Sequence, residues 1–369
     1  MIPYVDRDLI RSFFQAFFTI AAFVLVGYFV SVLLDQYRFM FTGSKFKWVM
    51  YYFIITVPRQ ASYIIPVGTA VSILWVYTVK ARHNEVLAYL VGGVSPLRLA
   101  RPLLIVAAVL AVVCYATIEF LANPGDRIAN IVERVNIQEK GADVISRERN
   151  VFKKGQGNRF YNVKYYDSME QTMDLPTIID MGENWNIPVW RVDADRAEFK
   201  DGQWYFENAS FRRFDANGAV TQFNQYDHKV TAKDLGVELE EELGRYLRER
   251  FRANEMGFLE LVNYISLFRE QGQPTYKLQT QLYFNFVIPM GAFVLALLMC
   301  GHILRPSSAG VVVSFGGGLV ILALYYVIIV VVRQLSMYGT FPPLLAAIVP
   351  NVAFLAFGVY MLHRDRALV

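Results

Sequence analysis

Apolar residues gather into six long runs, near 12–34, 51–78, 102–122, 282–304, 309–332 and 343–362. Each approaches the roughly 20 residues that a helix needs to cross the hydrocarbon core. The pattern predicts a polytopic α-helical membrane protein with six spans and both termini on one side. Between the third and fourth runs the pattern changes: charged residues crowd in from 123 to 275, and apolar positions alternate with polar ones. Segments at 152–154, 159–166, 176–181, 189–193, 197–200, 203–206, 210–214, 221–226 and 229–232 read as short strands. Asp201-Gly202 and Asn217-Gly218 read as hairpin turns, since both pairs accept positive φ. The expected inserted domain is antiparallel β, a sandwich or an open, jelly-roll-like form. Helices at 128–138 and 258–271 flank it, and 234–252 is a charged connector. The chain is thereby divided into 1–122, 123–275 and 276–369.

A shorter pattern lies between the second and third spans, over about 81–93. As a helix, it places Arg82, Glu85 and Ala88 or Tyr89 on one stripe, with Val86, Leu87, Leu90 and Val91 on the next. Gly92 and Gly93 can take the left-handed conformation that ends a helix, and Ser95-Pro96 supplies an N-cap and first-turn proline for the next one. Two uses are open for this element. It either passes force from a soluble partner into two membrane helices, or rests on lipid headgroups as an ordinary interfacial helix. In the second case Glu85 pairs with Arg82 one turn back.

Within the spans, Pro58, Arg59 and Pro66 imply a kinked second helix facing protein, with Arg59 a functional charge or an outer-interface residue. Arg38 leaves the first span at headgroup level, where snorkelling is the simpler role. Asn123-Pro124-Gly125 is expected to break the third helix. The fifth carries Gly316, Gly317 and Gly318, where missing side chains let helices approach closely.

Composition agrees: 55% of the 369 residues are hydrophobic and 18% charged, too apolar for an ordinary soluble protein. The short loops richer in Lys and Arg hold Lys80, Arg82, Arg98, Arg101 and Arg305, and so are cytoplasmic, which puts the β domain outside the cytoplasm. The first run is too long for a signal-peptide core and lacks a small-residue cleavage site, so it is expected to remain as a membrane helix. A net charge of +4, scattered along the chain, gives no footprint for nucleic acid. Cys114 and Cys300 lie inside spans and report little about redox compartment. The chain has no phosphate-binding loop, no H-E-x-x-H and no nucleophile elbow, and its four histidines are scattered. Catalysis by this chain, a bound cofactor and a metal site are therefore not expected.

Three spans, a β-rich insertion, three more spans and an amphipathic helix between spans two and three together resemble the lipopolysaccharide-export permease family (Lpt F/G, YjgP/YjgQ). The residues that carry the resemblance are Val57-Pro58 with Pro66, Asn84-Glu85-Val86 followed by Gly93 and Ser95, Ser314-Phe315-Gly316, Tyr338-Gly339 with Pro342-Pro343, and Pro350. The chain's end looks more like the G type. The resemblance implies a subunit of the bacterial inner membrane that pairs with a homologous second permease. A cytoplasmic ATPase dimer hydrolyses ATP for it, and lipopolysaccharide is passed to periplasmic β-rich bridge proteins. It implies that Glu85, with Arg82, Leu87, Leu90 and Gly93 around it, meets an ATPase groove. Arg38 matches a basic position that meets acidic lipid groups, with Arg59 a further candidate, and the Gly316–Gly318 run lies in a span lining a lateral opening. The sequence departs from the family at Val32 and Phe39, where basic residues are common, and at Val91-Gly92, which replaces a small-residue pair. A membrane-anchored scaffold or receptor with an outer β domain is the alternative.

Overall fold

A computed structural model describes residues 3–37, 45–138, 147–155, 158–167, 170–182, 186–237, 239, 253–270, 273–304 and 311–364. Among these are six helices long and apolar enough to cross a membrane. The helices are α1 (Pro3–Asp35), α2 (Phe46–Arg82), α3 (Glu85–Val91), α4 (Pro96–Thr117), α5 (Asn123–Ile131), α6 (Phe258–Glu270), α7 (Tyr276–Ile303), α8 (Val311–Met337) and α9 (Pro343–Arg364). The strands are β1 (Arg147–Lys154), β2 (Arg159–Asp167), β3 (Thr172–Asp180), β4 (Trp190–Asp193), β5 (Arg196–Lys200), β6 (Gln203–Glu207), β7 (Ala209–Phe214), β8 (Val220–Tyr226) and β9 (Val230–Thr231).

The chain forms two compact units, 1–130 with 253–265 and 274–369, and 131–252 with 266–273. Residues 123–130 and 253–265, grouped with the β domain by composition, thus belong to the helical unit.

In that unit α7 is the central post, packed on α2, α4, α8 and α9, and nearly every residue from Val294 to Cys300 is fully buried. α1 packs on α2 and α4, whereas α8 packs on α7, α2 and α9. Both keep large exposed apolar side chains, such as Phe23 and Val26 on α1 and Val320 and Val327 on α8. α2 runs through both of its prolines. Pro66 has no N–H for the Ser62 carbonyl, and Cys114 Sγ on α4 donates to that carbonyl at 3.4 Å.

The third span does not break at Asn123-Pro124-Gly125. It widens into a π-helical segment, Ile118–Ala122, and continues through α5 to Ile137. Gly125 lets this rod pass α2 closely, since a Cβ there would stand 2.9 Å from the Ile55 carbonyl oxygen.

All strand pairings in the β unit are antiparallel, and all nine segments expected from the alternation form strands. β3 is the branch point. Along one edge it pairs with β2, and along the other first with β5 at Thr172–Asp174 and then with β4 at Thr177–Asp180. Leu175, at φ 49°, sits at the fork, and its N–H donates to the Asp195 carbonyl between β4 and β5. Tyr161, Val163, Ile178, Trp204 and Phe206 are buried in the unit's core. Asp201 and Gly202 both take positive φ, making the two-residue β5–β6 turn the sequence indicates. At Asn217-Gly218 only the glycine does. The Asp215 carboxylate accepts from the Asn217 and Ala219 amides, so a longer Asx-type loop joins β7 to β8 in place of a two-residue turn.

Candidate functional site

The short helix α3 is framed by backbone geometry at both ends. Asn84 at φ 59° ends continuity with α2, so the expected single helix over 81–93 is two elements and Arg82 lies at the exposed end of α2. At the far end the Val94 N–H donates to the Tyr89 carbonyl and the Gly93 N–H to the Leu90 carbonyl. This is a Schellman closure with Gly93 at φ 82°, while Gly92 keeps an ordinary negative φ. Ser95 then caps α4 by accepting from the Arg98 N–H at 3.3 Å, with Pro96 at the first helical position.

Ion pairs tie this break to α1. Lys80 Nζ donates to Asp8 Oδ2 at 2.5 Å and to Glu85 Oε2 at 2.9 Å. Arg98 grips Asp6 with two hydrogen bonds, at 3.1 and 2.9 Å. Glu85 therefore pairs with Lys80 and not with Arg82. The result is a carboxylate on the first turn of α3, held by the end of α2, beside a cation shared with α1. Asp6 and Arg98 also line a cavity of about 350 Å³ next to Tyr89 and Gly93.

Val86 is buried, and Tyr89 and Leu90 pack against the core of the helical unit. Leu87 and Val91, four residues apart on one face, are 53% and 80% exposed. Leu90 thus anchors the helix and Leu87 faces outward, although the resemblance implies that both meet an ATPase groove. Sequence reasoning missed Asp6, Asp8, Lys80 and Arg98, because the α1 acids lie about seventy to ninety residues from their bases and leave no local spacing signal. The available hint was that two acids precede an apolar span whose neighbours end in bases.

The other candidates sit elsewhere. Arg38 lies outside the described residues. Arg59 is at the opposite end of the helical unit, where Nε donates to Asp126 Oδ2 at 2.8 Å and Nη2 donates to Asn123 Oδ1 at 2.9 Å and the Asn254 carbonyl at 2.7 Å. Of the glycines in α8, Gly316 faces open space. A Cβ at Gly317 would meet His302 Nε2 at 2.9 Å, and one at Gly318 would run into the Leu74 side chain of α2. The glycine run therefore packs within this chain, on α7 and α2. Gly318→Ala is expected to cost about 1–3 kcal/mol through overpacking against buried Leu74, and Gly316→Ala close to nothing. Thermal unfolding of the two variants in detergent checks this, and equal stability would refute the difference. Among the described residues, no group of three His, Cys, Asp or Glu side chains is placed to hold a metal ion.

The chain matches the family described as "Lipopolysaccharide export system permease LptF/LptG" over residues 7–364. Comparison with curated proteins gives no match. Since the family match runs from the second turn of α1 to the last residue of α9 and takes in both compact units, the chain belongs to the LptF/LptG family of lipopolysaccharide export permeases.

Proposed function

We propose that this inner-membrane chain is a permease subunit that a separate ATPase drives through α3, and that it moves lipopolysaccharide from the outer leaflet toward a periplasmic bridge. In this reading the α1 N-terminal end faces the cytoplasm and the β unit the periplasm. A homologous permease covers the unburied faces of α8 and of α1 beyond Thr19. One observation carries the reading: α3 is held to α2 by the pair between Glu85 and Lys80 and to α4 through its cap, α1 is paired to α2 and α4 on either side, and yet α3 presents Leu87 and Val91 to solvent. Exposed apolar side chains on a fixed seven-residue helix suit the groove of a soluble partner. Ion pairs on either side would carry its displacement into three membrane helices.

The test is Leu87→Asp. It should cut copurification of the ATPase subunit by about thirtyfold, as expected for a central anchor worth about 2 kcal/mol. The thermal stability of the permease should not change, because the Leu87 side chain already faces water. Undiminished copurification would remove α3 as the docking element and favour the scaffold reading.

A further inference from the structure

Three polar residues interrupt the apolar surface of α1 at intervals of three and four: Ser12, Gln15 and Thr19. All three line a single cavity of about 560 Å³ between α1 and α2, with Trp75 on the facing wall and Lys80 and Glu85 at one end. Thr19 Oγ1 donates to the Gln15 carbonyl at 2.8 Å. The Gln15 amide and Ser12 hydroxyl make no protein hydrogen bond among the described residues. Polar groups left without partners on the surface of a membrane helix are costly, so their alignment in one cavity calls for an occupant with its own polar atoms. Water alone would serve Gln15 but would set a polar occupant against the part of the Trp75 indole, a side chain 54% exposed, that Phe315 does not cover.

Charge narrows the choice. Lys80 is shared between two carboxylates, Asp8 and Glu85, so these three side chains together carry a net charge of −1. Lys80 engages Glu85 Oε2, and Oε1 has no protein partner among the described residues. A second ammonium with N–H groups would complete the pairing, whereas an anionic headgroup would add repulsion and a quaternary one would lack the donor. From Ser12 to Thr19 the helix rises about 10 Å, with Asp8 a further turn away. That span suits the headgroup and ester region of one phospholipid.

We propose that the cavity between α1 and α2 binds a phospholipid with a primary-amine headgroup, its ammonium at Glu85, its ester region along Ser12 and Gln15, and an acyl chain against Trp75. The lipid comes from the leaflet that meets the N-terminal end of α1. Binding stands on the cavity alone; its consequence, a headgroup resting on the coupling carboxylate, depends on the function proposed above. Lipid occupancy would then set whether Glu85 is free to respond to the ATPase.

The full chain, purified in mild detergent, is offered equal amounts of phosphatidylethanolamine, phosphatidylcholine and phosphatidylglycerol with identical acyl chains, and retained lipid is read by native mass spectrometry. One phosphatidylethanolamine per chain should be kept, at least about fivefold over either competitor, a difference of about 1 kcal/mol. Ala16→Phe, which fills the cavity from α1, should abolish retention. Val71→Phe fills it from α2 and serves if the first variant fails to fold. Glu85→Gln should keep a lipid but lose the headgroup preference. Equal retention of the three lipids overturns the proposal. So does persistent phosphatidylethanolamine in a folded cavity-filled variant, or a cavity-filled variant whose oligomeric state changes while its lipid does not. Loss of ATPase copurification is a separate readout, and its outcome bears only on the coupling reading.

Discussion

Glu85→Arg is expected to abolish lipopolysaccharide export in cells that depend on this chain, while the protein still reaches the membrane and keeps its thermal stability within experimental error. Glu85 is only partly buried, and Lys80, its one ion-pair partner among the described residues, still has Asp8 when Glu85 is lost, so little of the fold depends on it. Reversal removes the carboxylate from the first turn of α3 and sets a cation beside Lys80, which already pairs with Asp8. Truncating one member of a desolvated charge pair at an interface typically costs about 2–5 kcal/mol. Glu85→Ala should therefore weaken ATPase binding by at least about thirtyfold, or uncouple hydrolysis from export, and Glu85→Arg should do more. Hydrolysis and export measured together in reconstituted vesicles would decide it. Normal coupling in both variants would leave Glu85 as a surface partner of Lys80.

Arg59→Ala should cost the helical unit about 3–5 kcal/mol of stability. The guanidinium and the Asp126 carboxylate are only 14% and 13% exposed, and the same guanidinium holds Asn123 and the Asn254 backbone. Removing it strands a carboxylate among buried groups. Asn123 is itself 1% exposed and donates to the Met256 carbonyl at 3.1 Å, so the segment after the β unit loosens together with α5. Arg59→Met with Asp126→Leu should recover most of the loss, because the desolvated pair leaves as a whole. Thermal unfolding of the two variants measures the difference. A stable Arg59→Ala protein with impaired export would instead make Arg59 a substrate contact.

Much of this architecture is legible in the sequence because its determinants are local. Six apolar runs of spanning length and the alternation through residues 147–231 need no partner to be read. Ser95-Pro96 and Asp201-Gly202 also act within one turn of chain, and both do what their residue types dictate. What escaped the sequence depends on distant neighbours. Pro124 breaks no helix, because the preceding π-helical segment and the close passage along Ile55 accommodate it. Leu87 and Leu90 look equivalent three residues apart, and only the body of the helical unit decides that Leu90 packs and Leu87 does not. Arg59 reads as a lone charge in an apolar run until α5 brings Asp126 to it, sixty-seven residues later.

The fork at Leu175 has a topological consequence. An unbranched sheet has two margins, whatever its size. With β3 bonded to three strands, this sheet is a tree with three limbs, ending in β1, β8 and β9 among the described residues. Its valence for strand addition is therefore three, and the tips differ in length, eight residues at β1, seven at β8 and two at β9. Two incoming strands can occupy the longer tips at once without competing for backbone. Hydrogen exchange would then show two separate footprints, on β1 and on β8, with β3 protected throughout.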